Sequence, residues 1–110
     1  MSDELFRIDR FDVPDPAFDE FLTSLQPTHD LLRELPGCGQ NVLLEGPREN
    51  GSTRLLTLVT WTDDAAIAAA QRAVRRLHEA TGFSPARTVA RLGVTADLGL
   101  YRVRPWPQAR

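Results

Sequence analysis

Lysine is absent, and all 13 basic residues are arginine. That excludes a lysine Schiff base and otherwise points to GC-rich coding in a bacterial genome. Cysteine occurs once, at Cys38. An internal disulfide and a cysteine-built metal cluster are therefore excluded. No apolar run approaches the roughly 20 residues that cross a bilayer, so no membrane partner is expected. The start, MSDELFRID, lacks the charged-then-apolar signal pattern, and a cytoplasmic location is expected. A net charge of −2 leaves no basic excess to hold nucleic acid. There is no Gly-rich phosphate loop, no metal-ligand spacing and no GxSxG elbow.

What remains is an ordinary globular composition, 42% hydrophobic and 25% charged over 110 residues. It suits one domain with a modest core. Residues 1–103 are expected to form it. The proline-broken tail 104–110, which carries Trp106, reads as a mobile extension or an arm onto a partner.

The chain is organised around Arg54 to Ala80. Leu55 to Trp61 reads as a strand, apolar on both faces at period two, and both faces must then be covered. Asp63 and Asp64 open a helix whose Ile67, Ala70, Val74 and Leu77 make one stripe, closed by Gly82. Before this run, Leu5 to Phe11 alternates as a first strand, with Leu5 and Phe11 on one face and Phe6 and Ile8 on the other. Asp15-Pro16 reads as a helix start, an N-cap followed by proline at the first position. Phe18, Phe21, Leu22, Leu25 and Leu32 give that helix an apolar face. Pro27 removes one donor and is expected to kink or split it near Gln26. Gln40 to Glu45 is a second strand, followed by a hairpin loop, Gly46 to Ser52, that contains Asn50-Gly51. Ser84-Pro85 opens a short helix, PARTVARL, ended by Gly93. Asp97 to Val103 is the last strand, where Gly99 weakens the strand or allows close backbone approach.

The order is βαββαβ with a short extra helix before the last strand, an α+β ferredoxin-like arrangement. Both long helices then cover one sheet face. The other face is left apolar and bare, and a second copy packed sheet to sheet is the expected cover.

Val13-Pro14 after strand one, Thr28-His29-Asp30 ahead of Leu35-Pro36-Gly37, Val59-Thr60-Trp61 before an Ala-rich helix, and the segment Gly82 to Tyr101 share an order and spacing. In these the chain resembles the antibiotic biosynthesis monooxygenase family over about residues 5 to 103. The resemblance implies a homodimeric α+β barrel with a pocket in each subunit between sheet and helices. It also implies oxygenation of a polycyclic phenol or hydroquinone without metal, flavin or haem. The haem-degrading members use an asparagine on strand one, a tryptophan within helix two and a histidine further along it. Here only His78 has a counterpart. In the anthrone-oxidising type a strand-three tryptophan and a nearby asparagine line the pocket. Trp61 matches the first, strand three has no asparagine, and Asn41 on strand two is the available substitute.

Few side chains can carry chemistry. His29 lies on the apolar face of helix one. It is either a core-rim histidine satisfied by a backbone carbonyl or Asp30, or an imidazole able to take a phenolic proton. Trp61 is a core aromatic or the wall on which a flat ring stacks. His78, with Gln71 on the same edge of helix two, is a boundary residue or a polar rim of the same pocket. Arg75 is the arginine of that helix placed to stabilise an anion, whereas Arg72 and Arg76 project away. Tyr101 supplies a phenol to the pocket or packs at the dimer interface. Three readings stand at this point: an oxygenase, a dimer that only binds a small apolar ligand, and a partner protein with a filled core.

Overall fold

Strand β1 (Leu5–Pro14) alternates as its sequence requires. Leu5, Phe11 and Val13 are buried towards the helices, and Phe6 and Ile8 stand on the opposite face. The computed structural model, which describes residues 3–108, continues through a 3-10 turn (Asp15–Ala17) into helix α1 (Phe18–Glu34). The hairpin β2 (Cys38–Glu49) and β3 (Ser52–Trp61) comes next, then helix α2 (Asp64–Thr81), helix α3 (Pro85–Leu92) and strand β4 (Thr95–Arg102). The strands form one antiparallel sheet in the order β2-β3-β1-β4. That is the ferredoxin-like α+β topology expected from the element order. Among the described residues no helix is long and apolar enough to cross a membrane.

Local chemistry fixes most boundaries. Asn50 and Gly51 both take positive φ, 54° and 78°, as a tight two-residue hairpin turn demands. Strands β2 and β3 therefore run up to the turn, and the expected long loop is strand with a register shift between Glu45 and Arg48. Asp63 caps α2 by accepting from the backbone N–H of Ala66 at 2.8 Å, and Gly82 closes it at φ 75°. Asp63→Ala should cost about 1 kcal/mol, read as a lower urea midpoint at unchanged slope. An unchanged midpoint would show that the cap adds nothing. Ser84 and Gly93 bracket α3 in the same way.

Two local expectations are corrected. Helix α1 runs unbroken through Pro27. A proline costs one hydrogen bond there, but its φ suits a helix. Phe18, Leu22 and Leu25 before it and Leu32 after it pack against the core, so both halves stay docked and the helix is not split. Asp15 does not cap α1. Its carboxylate accepts from Arg48 at 2.9 Å across the sheet, and its backbone N–H donates to the Gly51 carbonyl at 2.8 Å.

The core lies between sheet and helices in two clusters. One gathers Phe11, Val13, Ala17, Phe21, Leu55 and Val94, with Phe11 and Phe21 edge to face at 5.0 Å. The other gathers Leu5, Val59, Trp61, Ile67 and Ala70. Each large side chain buried this way stabilises the fold by roughly 1.5–3 kcal/mol. The opposite sheet face has no helix over it among the described residues. The row Gly99, Ile8, Leu58, Val42 crosses it, and Leu44 and Tyr101 stand beside that row, 48% and 54% exposed. The close approach at Gly99 is made by the Tyr101 ring, which lies where a Cβ would sit, 2.5 Å from its nearest ring carbon. Beyond β4, residues 103–108 have no regular structure, and Trp106 is 93% exposed.

Candidate active site

Between the two core clusters the helix-facing side of the sheet is not filled. Arg7 and Asp9 on β1 and Thr57 on β3 face the helices there, and α2 presents the small side chain of Ala70. Large apolar side chains do not meet across this gap. The result is a cavity of about 860 Å³, walled by sheet, α1, α2 and α3. The reading of a filled core is thereby overturned.

His29 on α1 and Trp61 at the end of β3 both line the cavity. His29 is tied to β2 by two hydrogen bonds. Asn41 Nδ2 donates to the His29 carbonyl at 3.0 Å, and the Asn41 Oδ1 faces His29 Nδ1 at 3.0 Å. A carbonyl only accepts, so the first bond sets the amide orientation and the second places the imidazole proton on Nδ1. Nε2 has no partner among the described residues. In the neutral ring the lone pair that a base needs then lies on Nε2. The partner of His29 is thus Asn41, not Asp30, which accepts from Gln26 and Arg33 instead. Asn41 does not line the cavity as a substitute wall residue; it acts on the cavity through His29.

Gln71, Arg75 and His78 of α2 lie on the cavity wall. His78 Nε2 is 2.9 Å from Thr28 Oγ1, and its ring meets Phe83 edge to face at 5.1 Å. It joins α1 to α2 rather than projecting into water. Tyr101 is corrected: β4 puts it on the bare face, paired with Phe6 and away from the cavity. Arg7 and Asp9 were missed by sequence reasoning, although the signal was present. At period two, Leu5 and Phe11 bracket them on the buried face.

An inferred monooxygenase from Shewanella loihica PV-4 superposes with a TM-score of 0.69 at 21% identity, covering 96% of this chain and 99% of its own. SnoaB, a cofactor-independent oxygenase from Streptomyces nogalater, gives 0.63 at 24%, covering 96% and 97%. An inferred antibiotic biosynthesis monooxygenase from Deinococcus radiodurans gives 0.66 at 14%, covering 96% and 98%. The chain has the fold of these oxygenases. This is the fold the resemblance implies, and at such identities the likeness is one of fold. No family model matches the sequence, and neither does any curated protein.

Cys38, at the end of β2 near Arg33, is the remaining nucleophile. Burial pushes its thiol above the ordinary value, and the positive charge of Arg33 offsets part of this. A raised value keeps the thiol protonated at neutral pH, so iodoacetamide should modify it more slowly than a small free thiol, with the rate climbing only in alkali. Alkylation at pH 7 as fast as the free thiol would contradict this.

Proposed function

We propose that this chain is a monooxygenase that oxidises a flat phenol or hydroquinone in the cavity without a metal or organic cofactor. The observation that carries the reading is His29, held by Asn41 with Nε2 open, in the wall of an apolar cavity that also contains Trp61. The likeness of fold to a cofactor-independent oxygenase supports it. His29 Nε2 takes a proton from the bound phenol or its activated carbon. The resulting anion, lying on Trp61 and screened from water, transfers an electron to dioxygen. The radical pair combines to a carbon-bound peroxide anion, and protonated His29 returns its proton to give the hydroperoxide. His29 then takes the remaining proton from the oxygenated carbon as the O–O bond breaks, and the departing hydroxide takes up that proton and leaves as water. One oxygen atom stays on the product as a new carbonyl and the other departs in water. Holding the anion close to oxygen and keeping solvent out is all that the protein must add.

The working form in this reading is a cytoplasmic homodimer. The bare row Ile8, Leu58, Val42 of one chain packs on the same row of its partner about a two-fold axis. Residues 1–103 are the domain, and the tail from 104 carries the exposed Trp106 to the partner. Oxygen uptake with a panel of anthrones and hydroquinones, in chelated and flavin-free buffer, tests the activity. Uptake above the protein-free rate supports it. Tight ligand binding without uptake would leave a binding module.

A further inference from the structure

The mechanism above makes no use of the two charged residues that the sheet contributes to the cavity, Arg7 and Asp9. They are partners: Asp9 Oδ1 accepts from Arg7 Nε at 2.7 Å, with side chains only 18% and 34% exposed. A charge in an apolar wall is costly unless it is fully hydrogen-bonded. Asp9 satisfies one edge of the guanidinium. The two Nη groups of Arg7 have no partner among the described residues. They form a planar fork whose geometry matches a carboxylate.

Register gives this fork a fixed relation to the base. Arg7 pairs with Val59 on β3, and Val59 pairs with Asn41 on β2, so the three lie in one row across the sheet. Two strand spacings separate Arg7 from Asn41, about 10 Å. Asn41 holds His29, Val59 forms the floor between, and Trp61 is the next inward residue along β3. The cavity thus has a guanidinium on β1 and, two strands away beside β2, an imidazole, with Val59 between them. Its remaining charges are Arg75 and Glu79 on α2 and Arg87 on α3, none of them ion-paired among the described residues. Three arginines against two carboxylates leave the wall positive. A neutral phenol would leave the fork unmet.

We infer that the ligand of this cavity is an aromatic acid, with its carboxylate on the Arg7 fork and its phenolic end directed at His29. Asp9 is the positioning residue that orients the fork. The inference rests on the proposed binding of a flat phenol in this cavity and not on the oxygenation step.

The test is calorimetric titration of the full chain with 6-hydroxy-2-naphthoic acid and with its methyl ester. The acid should bind at least about tenfold more tightly, as a charge-assisted pair implies. Arg7→Gln, which keeps a donor towards Asp9, should remove most of that gap and leave the ester unchanged. Arg7→Lys should restore part of it, and it serves as the reading should the glutamine variant fail to fold. His29→Ala should leave the gap in place. Equal affinities in the native chain, a gap that survives Arg7→Gln, or no binding of the acid at millimolar concentration would overturn the inference. A persistent gap without oxygen uptake would reject the oxygenase and keep the acid site. Uptake without a gap would do the reverse.

Discussion

His29→Ala lowers oxygen uptake on a phenolic substrate by about 10²–10⁴-fold while the chain stays folded. The size follows from the role. His29 lines the cavity, and Nε2 is its open ring nitrogen because Nδ1 is committed to Asn41. Removing the ring removes the proton acceptor and leaves the apolar wall and Trp61 in place. Asn41→Leu should act through the same group. It frees the imidazole to turn and to change tautomer, so kcat should fall more than KM rises. Circular dichroism melting of both variants separates loss of chemistry from loss of fold. If His29→Ala lowers only the melting temperature and activity per folded molecule is unchanged, His29 is a core-rim residue and the base lies elsewhere.

Leu58→Arg should split the proposed dimer. Leu58 stands in the middle of the row Gly99, Ile8, Leu58, Val42 on the sheet face that no helix covers. In a sheet-to-sheet dimer each arginine would be buried without an acid opposite it. An uncompensated buried charge costs about 3–5 kcal/mol. That weakens association by about 10²-fold or more for each copy. Sedimentation at micromolar concentration should show two chains for the native protein and one for the variant. The cavity lies on the other face of the sheet, so the variant should still bind a cavity ligand. A native protein that sediments as a stable single chain would refute the dimer.

The parts of this fold that were legible in the sequence are those fixed by chemistry a few residues long. Asn50-Gly51 sets a turn by positive φ. Asp63 and Gly82, and then Ser84 and Gly93, close their helices with local hydrogen bonds. Element order followed from these, and the sheet order followed from element order. Distant partners broke the local rules. Asp15 has the sequence of an N-cap, but Arg48 holds it from 33 positions away. Pro27 has the sequence of a breaker, but the packing of α1 on both sides of it keeps the helix whole.

The site divides along the same line. His29 and Trp61 could be placed on inward faces from periodicity alone. The bond between Asn41 and His29 joins a strand to a helix, and no spacing rule announces it. Tyr101 was left open between pocket and interface, because the face it takes is decided by the pairing of β4 with Phe6 on β1. Arg7 and Asp9 were open to prediction, since Leu5 and Phe11 set their face. Charged side chains on a buried face are uncommon enough to be passed over. In this chain they line the cavity.

The most direct measurement is the source of the oxygen in the product. A reduced anthrone is incubated with the native chain under isotopically heavy dioxygen, in chelated and flavin-free ordinary water, and the product is weighed by mass spectrometry. The account predicts a quinone that carries a single heavy oxygen atom, formed well above the protein-free rate, with the formation rate lost in His29→Ala. Product formed no faster than without protein, or carrying oxygen only from water, would contradict it.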